Sequence, residues 1–529
     1  MSLRGTIAAS VQVSMLNFLG KVLGLVKTLV VAWTFGASGI MDAFLVAYML
    51  PTVIPNVLKG IVSATFIPRY MNSLQDASTS RQWKGVNTLF TVVLATVAFL
   101  AALMVASPLV VVDMIAPGLA QESRETAGSL LRIMSMAAIV LGLNAILSAV
   151  AYAQSRFVVA SLEGVVSNVF IITTCFVWVP EYGVWALAYA VVAGFAAQCL
   201  LLVLANWETI VRFLRPAASF THPDLQASLK HTGPLAIGFA GAIMMDIVDQ
   251  VFASYVGAGA IAILSYATML ALVPIEIFGH AVRTAFYTTF SRLYSTGNIA
   301  GLAEAHRRGI GLLIFFMIPA SAVFIAYSEQ LVDVLFERGR FKGDDGDAVA
   351  WVVVALSVGM FFKAASWFNF AVFHAMIRPW IPVGVGLSAV VVNVALTWIL
   401  VQVLGVAGIA LATSLAVTMT AMVTSFLLAR VLRYRVVVAQ WPVFWRVSLM
   451  SAAMILTAKL LSFGLLALIP MENGFYRSLW ELFMLVPGVV VFVAIGVVFR
   501  LPELSRGRRY LAEWITRHRL GWAVKETGG

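Results

Sequence analysis

Residues 42–70 read DAFLVAYMLPTVIPNVLKGIVSATFIPRY, and no residue between Asp42 and Lys59 carries a charge. A helix needs roughly 20 mostly apolar residues to cross the hydrocarbon core of a bilayer, and this stretch supplies them. It also returns later in the chain. Residues 265–293, SYATMLALVPIEIFGHAVRTAFYTTFSRL, separate Pro274 from Arg292 by the same step that separates Pro51 from Arg69. Two further landmarks keep step with these. AYAQSR ends at Arg156 and GVWALAYAV begins at Gly183; FHAMIR ends at Arg378 and GVAGIALAT begins at Gly405, again at equal separation. All four pairs share one offset along the chain to within a single position.

The whole composition belongs to the same solvent. Of 529 residues 61% are hydrophobic and 11% charged, and the mean hydropathy is +0.96, far too apolar for a soluble globular chain. About fourteen segments of spanning length can be traced along the sequence. The fold expected is an all-α polytopic membrane protein with two parallel six-helix repeats plus a C-terminal helix pair. Six crossings return the chain to its starting side, so the halves run parallel about an axis along the membrane normal, as in transporters that rock two lobes. The corresponding divisions are residues 1–215 (an N-lobe, spans one to six), 216–436 (a C-lobe, spans seven to twelve), 437–500 (spans thirteen and fourteen) and 501–529 (a basic amphipathic cytoplasmic tail).

Charge fixes the expected orientation. With the N-terminus read as cytoplasmic, twenty-three Lys and Arg residues collect on inner segments, against five outside: Arg124, Arg338, Arg340, Lys342 and Arg477. This asymmetry puts both termini in the cytoplasm. The net charge of +11 then describes an inner face meeting anionic lipids rather than nucleic acid. The first apolar run is long and lysine-broken and lacks a small-residue cleavage site, so the first span itself, not a signal peptide, is expected to direct insertion. Cys175 and Cys199 both fall in apolar segments and offer no disulfide framework or metal motif.

The charges that remain inside spans are few. The first span carries Lys21 and Lys27; the second begins at Asp42 and holds Lys59; the seventh holds Asp246 and Asp249; the eighth holds Glu276, His280 and Arg283; the tenth has Lys363 and His374. A charge near mid-bilayer costs several kcal/mol, so it normally faces protein or water and marks a pathway. On an α-helix the spacing of Glu276, His280 and Arg283 makes one polar stripe. Two bland readings stand beside this one. Lys59 can snorkel to the interface, and the stripe can be an internally paired device that only holds helices together. No metal site is expected from a lone histidine without further ligands at suitable spacing. Nor does the chain hold a GxxxxGK[ST] loop, HExxH, GxSxG or a polar region long enough for a nucleotide-binding domain, so no catalytic residue, enzyme activity or cofactor is expected. Transport would draw on an ion gradient, with a proton or monovalent ion as coupling partner, on the membrane potential, or on consumption of product outside.

GKVLGLVKTLVVAWTFGASGIMDAFLVAYMLP (20–51), VLFERGRFKGDD (334–345) and AMIRPWIPVGVGLSAVVVNVALTWILVQVLGVAGIALATSLA (375–416) resemble the MurJ/MviN lipid flippases of the multidrug/oligosaccharidyl-lipid/polysaccharide exporter superfamily. The resemblance covers residues from about 5 to 435 and implies fourteen helices and a cationic central cavity. It also implies an inner-membrane flippase for polyprenyl-pyrophosphate-linked saccharides, either lipid II or an exopolysaccharide repeat unit, and a monomer. The family's two first-span arginines fall on Lys21 and Lys27, and its second-span aspartate on Asp42. On this resemblance Lys21, Lys27, Asp42 and Arg283 are the expected pyrophosphate site, and Lys59, Asp246, Asp249, Glu276 and His280 line the cavity or couple ions. Two family arginines are missing, one aligning near Pro55 and the other with Met269, and Arg283 is the candidate to replace them. A polyprenyl groove is implied along spans thirteen and fourteen. The alternative is a cation-coupled multidrug exporter of the same superfamily, with Asp246, Asp249 and Glu276 as ion sites; a lysine pair in the cavity would repel its cationic cargo.

Overall fold

The computed structural model describes residues 3–75, 80–213, 223–341, 343–434, 436–468 and 473–499. Every regular element among them is helical. The expected amphipathic tail at 501–529 lies outside the described residues. The chain forms two compact units. The first contains α1 (Leu3–Phe35), α2 (Gly39–Gln75), α3 (Ser80–Ala106), α4 (Pro108–Ile115), α5 (Gln121–Ala153), α6 (Phe157–Ser161), α7 (Glu163–Val177), α8 (Val179–Tyr182), α9 (Val184–Ala205), α10 (Trp207–Phe213), α11 (Pro223–Val256) and the start of α12 (Ala260–Pro274), together with residues 336–349 and 386–409. The second holds the end of α12, a π-helical turn (Ile275–Gly279), α13 (His280–Ser295), α14 (Ile299–Ala326), α15 (Ser328–Leu335), most of α16 (Gly343–Ala375), both ends of α17 (Trp380–Leu432), α18 (Val436–Leu468), α19 (Gly474–Phe483) and α20 (Leu485–Val498).

Among the described residues, ten helices are long and apolar enough to cross a membrane, and Gly39–Pro55 and Glu163–Val177 are shorter apolar helices. At 1.5 Å per residue the 53 residues of α17 would run to about 80 Å, far beyond one crossing. The element is broken at Gly405 (φ 55, ψ −132), a conformation that only a residue without Cβ adopts readily. The sequence repeat has a backbone counterpart at this point. Gly183, the matching landmark of the first half, has φ 58 and ψ −141. Upstream of each glycine, the helix ends α5 and α16 are capped alike. Arg156 N donates to Ala151 O at 2.8 Å and Arg378 N to Phe373 O at 2.9 Å. Ser155 and Ile377 supply the left-handed residues, at φ 62 and 56. This is the six-to-one bond of a Schellman cap, made twice at one offset with a non-glycine in the strained position.

In the first unit α1 meets α7 where two glycines face each other. A Cβ on Gly20 would lie 3.6 Å from the Gly164 backbone, and Asn168 Nδ2 donates across the contact to Gly20 O at 3.0 Å. Small residues and interhelical amide bonds are what hold helices together where lipid gives no hydrophobic drive. The same logic explains why Phe99, Trp178, Tyr182 and Tyr189 are exposed on this unit: their solvent is hydrocarbon and headgroup rather than water. In the second unit a core of Phe290, Leu313, Met317, Phe368, Phe373, Leu428 and Met450 is almost fully buried. Phe290 and Phe368 meet edge to face with centroids 5.3 Å apart, the arrangement their quadrupoles favour.

Candidate functional site

Both α1 lysines sit on one unbroken helix. Six positions separate them, which turns the second about 120° from the first and carries it about 9 Å along the axis. They are therefore not two prongs of one clamp. Lys21 is exposed and Lys27 half-buried, the latter with its ammonium 5.9 Å from the ring centroid of Tyr48 on α2. Among the described residues no carboxylate pairs with Lys27. A cation resting on an aromatic face gains about 0.5–2 kcal/mol, less than a charge within an apolar span costs.

Asp42 does something the sequence reading did not anticipate. Its side chain is fully buried. Oδ2 accepts from Gly259 N at 2.6 Å and Oδ1 from Ala262 N at 2.8 Å. These amides open α12, so the carboxylate caps that helix from a distant part of the chain and meets the positive end of its dipole. Gly259 itself has φ 87, and a Cβ there would collide with Ala37 O. Around this contact Tyr266 OH donates to Gly36 O at 3.1 Å and Arg340 N donates to Trp33 O at 3.0 Å. Tyr266 also packs on Phe336 and Phe341 of the 334–345 stretch. The turn between α1 and α2 is thus tied to the start of α12 and to that stretch, all within the first unit. Among the described residues Asp42 bonds backbone, not a lysine. Lys21 lies about four turns before the end of α1 at Phe35, about 21 Å down the helix.

Lys59 is held by an acid. Its ammonium lies 2.5 Å from Glu163 Oε2 at the start of α7, with the side chains 31% and 17% exposed, so α2 and α7 are joined by a largely sheltered ion pair. Glu163 went unread in the sequence, although a lone acid opening an apolar segment shortly after Arg156 was the available signal.

On α11, Asp246 is exposed and Asp249 half-buried. On the other acidic span, Glu276 falls inside the π-helical turn Ile275–Gly279. Pro274 has no N–H to give the preceding turn, and a π-turn directly after it widens the spacing. The stripe expected from α periodicity is consequently twisted between Glu276 and the two residues beyond. His280 Nδ1 and Thr284 Oγ1 are 3.3 Å apart. Arg283 leaves the stripe for Trp367 on α16, 5.8 Å from its ring centroid, and Lys363 approaches the same ring at 5.9 Å. Trp367 was not singled out from the sequence; its place one turn after Lys363 was the clue.

A second polar group lies in the core of the second unit. His306 is fully buried; Nδ1 accepts from Tyr434 OH, and Nε2 donates to Asn369 Oδ1 at 2.9 Å. Asn369 Nδ2 donates in turn to Thr424 and Ser425, each at 3.0 Å. The chain of donors and acceptors closes with a neutral imidazole, which makes it a brace between α14, α16 and α17 rather than a site.

Comparisons with known proteins bear on this geometry. Residues 31–490 match the family described as "Lipid II flippase MurJ". A Thermotoga maritima protein named "Probable lipid II flippase MurJ" is 26% identical over 499 residues, covering 92% of this chain and 96% of its own. A protein of the same name from Synechocystis is 25% identical over 413 residues, 76% of this chain and 77% of that one. Among solved structures, "Lipid II flippase MurJ, inward closed conformation" superposes with a TM-score of 0.78 at 21% identity, over 92% of this chain and 98% of that chain, a likeness of fold.

Proposed function

From the premise that this chain belongs to the lipid II flippase MurJ family, we propose that it moves a polyprenyl-pyrophosphate-linked saccharide from the inner to the outer leaflet of a bacterial cytoplasmic membrane by alternating access. The cargo is lipid II or an exopolysaccharide repeat unit that shares its pyrophosphate. The protein works as a monomer with both termini in the cytoplasm, its basic inner face on anionic lipid. It is a transporter rather than an enzyme.

The observation that carries this reading is Lys27, a half-buried cation inside the first span that no carboxylate among the described residues neutralises. A pyrophosphate diester carries about two negative charges, and taking it unpaired into hydrocarbon is prohibitive. Lys27 and, one exposed step away, Lys21 supply positive charge along the path of that group. Because they face different ways, they serve it in succession rather than as one cradle. Lysine offers a point charge where arginine would offer a planar fork, which suits a ligand that must be released. Outward passage of two negative charges down an inside-negative potential gains about 4.6 kcal/mol per 100 mV, less whatever charge the protein carries back.

Asp42 has a different part in this scheme. It does not meet the pyrophosphate; it holds the α1–α2 turn on the start of α12, and its release is the step that alternates access. Lys59 is neutralised by Glu163 and holds helices together. Asp246, Asp249, Glu276 and His280 are the candidates for ion coupling.

The test is lipid II translocation in proteoliposomes with Lys21→Ala, Lys27→Ala and Asp42→Ala. The lysine variants lose lipid II binding and transport, whereas Asp42→Ala loses transport and keeps binding. Full activity in both lysine variants overturns the proposal. Loss confined to variants of Asp246, Asp249 and Glu276 points instead to cation-coupled export.

A further inference from the structure

Arg283 and Lys363 come from different helices and converge on one indole, that of Trp367, at 5.8 and 5.9 Å from its ring centroid. On α16, a step of four positions puts Lys363 and Trp367 within about 40° of each other. Arg283, Lys363 and Trp367 all belong to the second unit, whereas α1 with Lys21 and Lys27 belongs to the first.

The arrangement has too much positive charge for a packing contact. Two cations on one ring repel each other, and one would suffice to anchor α13 on α16. The aromatic face returns about 0.5–2 kcal/mol for each. Among the described residues neither cation has a carboxylate partner. Arg283, Lys363 and Trp367 are each half-exposed, and a lipid-facing position for two charges inside spans is excluded on cost. They therefore face water or a ligand, with their positive excess held ready by the indole plane.

An aromatic face beside a guanidinium fork and an ammonium is a particular kind of anion site. The fork takes a carboxylate or phosphate bidentately. The indole offers an apolar plane that an inorganic anion has no use for and that the C–H face of a pyranose ring fits. Both cations stand at the outer limit of the ring contact, free to turn toward an incoming group without uncovering a buried charge.

We infer that Arg283, Trp367 and Lys363 form a headgroup subsite for a carboxylate-bearing saccharide, in which the sugar stacks on Trp367 and its carboxylate, or that of a substituent on it, lies between the two cations. This rests on the flippase reading above and adds a selectivity that the pyrophosphate cannot give: every polyprenyl-pyrophosphate-linked cargo has the diphosphate, and only some carry a headgroup acid.

The experiment uses the full-length protein in nanodiscs and two probes, lipid II, whose peptide carries carboxylates, and a polyprenyl-pyrophosphate-linked neutral disaccharide. Arg283→Gln and Lys363→Gln each weaken lipid II binding about tenfold, the size of one charge-assisted hydrogen bond, and leave the neutral probe unchanged. Lys363→Arg restores lipid II binding, and Trp367→Leu weakens both probes by removing the stacking plane. Lys27→Gln weakens both probes alike. Equal losses of the two probes in Arg283→Gln and Lys363→Gln reassign the pair to the pyrophosphate and overturn the inference, as does no loss of either in well-folded, monodisperse variants. If the parent protein binds neither probe, the flippase reading fails and takes this one with it; if the parent binds both equally and only the pair variants are silent, the subsite alone fails.

Discussion

Replacing Asp42 with asparagine isolates the contact that ties α12 to the α1–α2 turn. The change keeps the shape of the side chain and removes its charge and one acceptor. Whichever way the amide is turned, its NH2 group faces either Gly259 N–H or Ala262 N–H, and two donors now meet where the parent has bonds of 2.6 and 2.8 Å. A hydrogen bond to a charged group contributes about 1.5–3 kcal/mol, and a carboxylate on a helix N-terminus up to about 2 kcal/mol when partly buried. Against these stands relief from burying an ion, worth a few kcal/mol. The net weakening is about 2 kcal/mol, a factor of roughly 30 in the local opening equilibrium. The first-turn amides of a helix have no intrahelical acceptor, so Gly259 and Ala262 are protected by Asp42 itself. Hydrogen–deuterium exchange of a peptide spanning 257–266 should therefore speed up by about 30-fold at those two amides, while peptides from α14 exchange as in the parent. Unchanged protection at residues 257–266, or an equal acceleration throughout the chain, refutes a local latch.

Two further expectations concern neighbouring ion pairs. Lys59 and Glu163 are sheltered enough that a cycle of Lys59→Met, Glu163→Gln and the double variant, read by thermal unfolding, gives a coupling of about 1 kcal/mol; additive single effects mean that the pair contributes nothing to joining α2 and α7. Arg124 binds Asp113 in the bidentate manner, at 2.5 and 2.6 Å, and these hydrogen bonds hold the Asp113 carboxyl below the usual carboxylate range. A depressed value means that the contribution is present above the unfolded pKa, ordinarily about 3.9, and is lost as pH falls through the folded one. The difference in melting temperature between the parent and Asp113→Asn is thus expected at pH 6 and should close on acidification below that range; a difference that persists there argues against the pair.

The helical fold was legible because its causes are local and repeated. Apolar runs near spanning length leave the backbone no other way to satisfy its hydrogen bonds in lipid, and the resemblance named the family that the comparisons match. The constant offset can be read from AYAQSR and FHAMIR as letters alone, and both close the same left-handed cap. The π-turn after Pro274 was not legible. Proline announces a missing donor, but whether the helix kinks, breaks or widens depends on neighbours far away in sequence.

The candidate site was legible by residue type and not by partner, for a physical reason. A charge inside an apolar span must be reconciled with its surroundings somehow, so its presence alone marks it; the means of reconciliation is a tertiary matter. Lys59 is neutralised by an acid 104 positions away, Asp42 is hydrogen-bonded by two backbone amides 217 and 220 positions away, and Arg283 rests on an indole instead. Spacing along one helix cannot separate these outcomes. Among the described residues Lys27, Arg283 and Lys363 each meet aromatic carbon and no carboxylate. An aromatic face steadies a cation without cancelling it, which leaves the field of the charge available to a ligand. In a protein with 35 basic residues, most of them outside the spans, these are cations inside spans whose positive charge an anionic cargo can still use.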